Sequence, residues 1–151
     1  MLMTKVDASQ LTGPALDWAV AKALGYAIFM ANHDSGDHRW PGNGHISALT
    51  AQHSVIIVGT TSYITIEGPD AVEAWQPTVK WCQCGPLITR YLIEISHELV
   101  GQDKSVWYGY NVLLDGWYSA DTPQEAVCIA AVISELGRNV DVPIELLEKK
   151  H

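Results

Sequence analysis

The sequence predicts an α+β fold in which an N-terminal and a C-terminal helix pack on one face of a mainly antiparallel sheet. Apolar residues recur at helical spacing near both ends of the chain, and β-branched or aromatic runs fill the stretch between. No helix-length pattern alternates with those runs, so a βαβ rhythm is not expected. At 151 residues and 48% hydrophobic composition, the chain can bury a core of its own and reads as one globular domain spanning 1–151.

The first helix is expected to open at Thr12, which can cap it, with Pro14 in the first turn and Leu11 placed to staple onto Leu16. Leu16, Ala19, Val20, Ala23 and Leu24 share one face, and Gly25 supplies the stop. Trp18 lies off the centre of that stripe, where it either edges the core or marks a surface contact. Tyr26 to Met30 reads as a short strand, and Asn32 to His45 as a loop dense in turn formers. Val55 to Val58 and Ser62 to Ile66 read as a hairpin around Gly59-Thr60-Thr61, with Gly68-Pro69-Asp70 ending the second run. Ala71 to Trp75 reads as a turn of helix.

Trp75 to Ile88 crowds Trp75, Trp81, Pro77, Pro86 and Gly85 into one segment and is expected to be a packed aromatic loop. Leu87 to Leu99 alternates in part and reads as a strand, because its β-branched and aromatic content outweighs the helical fit. Val106 to Leu114 is a second aromatic strand, followed by a turn at Asp115-Gly116. Thr122-Pro123-Gln124-Glu125 combines a capping box with proline at the first helical position. Ile129, Ala130, Ile133 and Leu136 form the stripe of that helix before Gly137.

The formal charge is −8, and the nine Lys and Arg residues are scattered. General nucleic-acid binding by counterion release therefore has little to work with. Asp and Glu form no like-charge block of the kind that marks an interaction tail. Cys82, Cys84 and Cys128 are odd in number and lack CxxC spacing, which fits a reducing compartment. No segment approaches the roughly 18 apolar residues of a membrane span, so a cytoplasmic protein without membrane contact is expected.

His33, Asp34, Asp37, His38 and His45 could ligate a divalent metal, but their spacing matches no metal signature, and a solvated polar loop accounts for the same residues. Cys82 or Cys84 with His97 could make a nucleophile and base, yet no signature surrounds either cysteine. Cys128 reads as a core residue. No metal, cofactor or catalytic residue is assigned, and a non-enzymatic role is favoured. Trp75, Trp81, Trp107, Tyr108, Tyr110, Trp117 and Tyr118 offer more aromatic surface than one small core needs. They read either as an aromatic core or as a recognition surface. Aromatic faces stack on bases while cationic side chains hold phosphate. The candidate ligand-binding set is therefore Trp75, Lys80, Trp81, Arg90, Trp107, Tyr110, Trp117 and Arg39.

Three blocks carry a resemblance: Leu11 to Ala21, Pro77 through Trp81 to Ile88, and Thr122-Pro123 with Val140 to Leu146. In order and spacing they resemble the NinX-like family of lambdoid phages, encoded among accessory genes. Lys80 departs from the Asp or Asn usual before the tryptophan, and Cys82 and Cys84 fall where small or polar residues are common. If the family shares a ligand, Lys80 changes its charge preference. The resemblance implies a phage accessory protein in the host cytoplasm and brings no catalytic residues. Together with the aromatic set, it points to a binding protein that engages a host protein, such as a defence protein, or sequesters a nucleotide-like small molecule. The alternatives are a small enzyme acting on nucleotides or nucleic acid through the His33 to His45 loop, and a structural homo-oligomer closed by exposed aromatics.

Overall fold

The computed structural model describes residues 2–30, 53–59, 64–69 and 72–147. In chain order the elements are β1 (Met3–Asp7), a 3-10 turn (Ala8–Gln10), α1 (Gly13–Ala23), β2 (Ala27–Met30), β3 (Val55–Val58), β4 (Ile64–Glu67) and β5 (Val72–Ala74). They continue with α2 (Trp81–Tyr91), β6 (Ile93–Leu99), β7 (Ser105–Asn111), β8 (Gly116–Ala120), α3 (Pro123–Leu136), β9 (Asn139–Pro143) and α4 (Ile144–Leu147). The fold is α+β with predominantly antiparallel pairing. Its described strands form three sheets: β1-β9, β2-β3-β4-β5 and β6-β7-β8. Only β2 and β3 pair in parallel among them.

The terminal helices form where their caps allow. In α1, Thr12 has the extended backbone of an N-cap but makes no side-chain capping bond, and Pro14 supplies the pre-set first turn. The other end closes as a Schellman motif. Gly25 is left-handed at φ +83, its N–H donates to Lys22 O at 3.1 Å, and the Tyr26 N–H donates to Ala21 O at 3.2 Å. In α3 the Thr122 hydroxyl oxygen accepts from the Glu125 N–H at 3.1 Å, so the capping position read from the sequence is made. Trp18 is buried, and Lys22 Nζ lies 5.7 Å from the centre of its ring.

Every residue of α3 from Ala126 to Ile133 is buried. A helix apolar on all sides must be covered on all sides, and here the covers are α1, α2 and the β6-β7-β8 sheet. The closest approach is at Gly109 of β7, where a Cβ would stand 2.6 Å from the Ala126 carbonyl oxygen. At the end of the same strand, buried Asn111 hydrogen-bonds Ser134 of α3.

Several expectations for the middle of the chain are corrected. Trp81 to Tyr91 is helical, so the aromatic loop is confined to the residues before Trp81, and the strand begins at Ile93 rather than Leu87. Cys84, Leu87 and Tyr91 recur at helical spacing and are buried, and that burial outweighs Pro86 inside the helix. Pro86 removes one backbone bond to Cys82, an exposed residue whose carbonyl water can serve. Leu92 then adopts a left-handed conformation at φ 56 and turns the chain directly into β6. Val72 to Ala74 is a strand paired with β4, not a turn of helix. The β3 and β4 runs pair antiparallel as expected; the Thr60-Thr61 turn, with Ser62 and Tyr63, lies outside the described residues. No described helix is long and apolar enough to cross a membrane.

Gly109→Ala should cost about 1–3 kcal/mol, because the clash is with backbone that α3 cannot withdraw without opening its other packed faces. Chemical denaturation read by far-UV circular dichroism would show a lower midpoint. An unchanged midpoint would mean that the helix is not held this tightly on the sheet.

Candidate functional site

The chain between β5 and α2 is tied down by a small set of polar contacts. Gln83 bridges the junction: its Oε1 accepts from the Gln76 N–H at 2.7 Å and its Nε2 donates to Ala74 O at 2.8 Å. Lys80 Nζ reaches Ala74 O at 3.3 Å and the Glu73 carboxylate at 3.5 Å. The Trp75 N–H donates to Ile64 O at 2.8 Å, which continues the β4-β5 pairing. Its indole N–H donates to the Asp17 carbonyl at 2.9 Å and is thereby fixed against α1.

Asp17 holds this junction from the other side, because its carboxylate accepts the Thr78 N–H at 2.9 Å. The side chain is buried in the middle of α1. Burial, the largest influence, pushes its pKa up, the Thr78 hydrogen bonds pull it down and nearby Glu125 pushes it up, so that it rises from 3.8 to about 7 in all.

These ties shape a cleft of about 760 Å³ between α2, the end of α1 and the β2-β5 sheet. Its apolar wall is made by Leu24, Tyr26, Ile66, Trp75 and Leu87, and Glu73, Gln83 and Arg90 supply polar groups. Tyr26 meets Trp75 edge to face, with ring centres 5.6 Å apart. Arg90 lies 5.5 Å from the centre of the Tyr91 ring, and no carboxylate among the described residues pairs with it. Glu73, by contrast, faces Lys80.

The sequence-derived candidates fall in two places. Trp75 and Arg90 line the cleft, and Lys80 does not, although it pairs with Glu73, which does. Trp81 opens α2 and is 48% exposed. Tyr110 and Trp117 lie elsewhere, paired across β7 and β8 with ring centres 4.5 Å apart. Trp107 is on the opposite face of that sheet from Tyr110 and stacks on His97 at 4.6 Å. Arg39 lies outside the described residues, as does the loop from His33 to His45.

Among the described residues, no group of three or more His, Cys, Asp or Glu could hold a metal, and no hydrogen bond joins a cysteine to a histidine. Cys84 and Cys128 are fully buried and Cys82 is exposed. The hydrogen bond with Cys84, together with burial, pushes the Cys128 thiol up, in keeping with its reading as a core residue. Sequence reasoning missed Tyr26, Glu73, Gln83 and Asp17. Only Asp17 carried a signal, as a lone carboxylate within the apolar run from Ala15 to Ala21.

The family model described as Bacteriophage P22, NinX matches residues 7–135. No curated protein matches the chain.

Asp17 sets a pH dependence. Its folded-state pKa of about 7 stands above the ordinary 3.8, so folding favours the protonated acid. The associated stability is present below about pH 4 and is lost as pH rises through about 7. Asp17→Asn keeps an acceptor for the Thr78 N–H and removes the ionisation. In thermal melts from pH 4 to pH 8 the variant should gain on the parent chain as pH rises. Parallel pH profiles would show that Asp17 does not titrate in this range.

Proposed function

The chain belongs to the Bacteriophage P22 NinX family, and on that premise we propose a small phage accessory protein that sequesters a nucleotide-like molecule in the cleft beside Trp75. The observation that carries this reading is the cationic Arg90, which touches Tyr91 but forms no ion pair with a carboxylate among the described residues, on a cleft whose wall is mostly aromatic and aliphatic. The volume lies within the range of small-molecule sites, which are mostly apolar with a few convergent polar groups.

Each end of the ligand has its counterpart. Tyr26, Trp75 and Leu87 offer a planar body an apolar wall, where stacking on aromatic rings is worth about 1–3 kcal/mol per base. Arg90 offers an anionic group a planar pair of donors. Glu73 and Lys80 offset one another, which leaves Arg90 to set the net preference. One cation favours a singly or doubly charged anion, such as a nucleoside monophosphate or a cyclic nucleotide, over a triphosphate. The backbone clamp made by Gln83, Trp75 and Asp17 holds the wall in place before the ligand arrives, which lowers the ordering cost of binding.

Isothermal titration of the full chain with a panel of nucleosides, cyclic nucleotides and mono- to triphosphates tests this. Saturable one-to-one binding of a monophosphate or cyclic nucleotide is expected, with the ligand recovered unchanged. Arg90→Ala should weaken it about tenfold or more, as removal of a charge-assisted hydrogen bond implies. Thr89→Trp, at an exposed position on the cleft wall, should block it. No binding across the panel would remove the proposal, and chemical conversion of the ligand would shift the reading to an enzyme.

A further inference from the structure

The second aromatic cluster lies on a different sheet and has a different charge. In the β6-β7-β8 meander, Gly109 faces α3, so residues of the opposite register parity point away from it. Register places Glu94 opposite Tyr110, and Tyr110 opposite Trp117. Tyr108, Tyr110 and Trp117 therefore share the outer face with Glu94 and Glu98, and Asp115 joins them from the β7-β8 turn. Trp117 is 57% exposed, its ring 6.2 Å from Tyr108 in an edge contact. The adjoining turn exposes Val112, Leu113 and Leu114 in succession.

Two of the carboxylates are held upright by the rings. The Tyr108 hydroxyl donates to Glu98 at 2.7 Å, and the Tyr110 hydroxyl donates to Asp115. Accepting one hydrogen bond leaves each carboxylate further lone pairs for a partner. No Lys or Arg occurs in residues 93–99 or 105–121, and His97, the one histidine of these strands, lies with Trp107 on the other face.

We propose that this outer sheet face is a docking surface for a basic, arginine-bearing segment of a partner protein, with guanidinium groups set over Trp117 and Tyr110 and paired with Glu94, Glu98 and Asp115. The chemistry selects the occupant. A guanidinium stacks on an aromatic ring and forks onto a carboxylate with the same planar group, which an ammonium does less well. Nucleic acid would bring phosphate against uncompensated carboxylates. A second copy docked through the same face would set Glu94 and Glu98 against identical carboxylates. The face is built by strands that do not line the cleft beside Trp75, so this inference stands apart from the nucleotide reading.

The test uses the full chain and three peptides of equal length in a Gly-Ser background, carrying arginines, lysines or neither. Binding is read by tryptophan fluorescence and calorimetry at low and high salt. The arginine peptide should bind saturably at one to one, several-fold tighter than the lysine peptide, and weaken as salt is raised. Trp117→Ala should reduce affinity at least tenfold. Because that side chain is more than half exposed, thermal melts should show the fold retained. The Glu94→Gln, Glu98→Gln double variant removes charge without removing rings and should give a comparable loss. Three results would overturn the proposal: no saturable binding, equal affinity in both variants, or a dimer in sedimentation that Trp117→Ala dissolves.

Discussion

The enclosure of α3 on every side from Ala126 to Ile133 is the constraint on which the rest of the structure depends. A surface helix needs one apolar stripe and leaves its other face to water, but α3 presents Ala126, Val127, Cys128, Ile129, Ala130, Ala131, Val132 and Ile133 in unbroken succession. Each side of such a cylinder needs its own cover, so α1, α2 and the β6-β7-β8 sheet are all committed to it. The alanines permit close approach, and Gly109 answers them from the sheet side. Once those elements have spent one face on α3, what remains for function is what they turn outward. For the sheet this is the face carrying Tyr108, Tyr110 and Trp117. For α2 it is the side that borders the cleft.

Around that apolar centre, a few buried polar contacts fix positions that packing alone would leave loose. Asp17 is the main one. It lies between α1 and the turn before α2, its carboxylate taking the Thr78 N–H and its carbonyl the Trp75 indole. An isolated carboxylate in such a place is costly, which is why its proton is held toward neutral pH. In return, one helical residue sets the orientation of an indole 58 positions away in sequence. Gln83 does similar work from α2, satisfying backbone groups of Gln76 and Ala74 with a single amide.

The parts of the fold legible in the sequence are those whose signals are local. Pro14 with Gly25 brackets α1, Thr122 with Glu125 opens α3, and the β-branched runs at Val55 and Ile64 pair as strands. The middle of the chain misleads for an equally local reason. Gly85-Pro86 looks like a break, but a glycine before proline lacks the Cβ whose clash would resist helix. The change from α2 to β6 at Leu92 is made by a left-handed leucine, where a glycine or asparagine would have announced the boundary. The site was legible as a set of residue types and not as a place. Trp75, Arg90, Tyr110 and Trp117 stand out in composition, yet their division between a cleft and a sheet face follows from β7-β8 register and from the Asp17 contacts. Neither is encoded within a short window.

That division also gives one acidic chain two surfaces whose local charge differs in sign. Charges more than about 8 Å apart are largely screened from one another at physiological ionic strength, so a ligand meets the groups lining its own site rather than the net −8. At the cleft those groups are an Arg90 with no described carboxylate partner and a Glu73 offset by Lys80. On the sheet they are Glu94, Glu98 and Asp115 with no Lys or Arg in the strands. Glu94 and Glu98 are spaced along β6 and Asp115 lies in the β7-β8 turn, and Glu98 and Asp115 each accept a hydrogen bond from a phenol. The guanidinium at the cleft rests beside the Tyr91 ring, which supports a cation without neutralising it. In both places a charged group rests against an aromatic side chain, with no ion pair to another described residue.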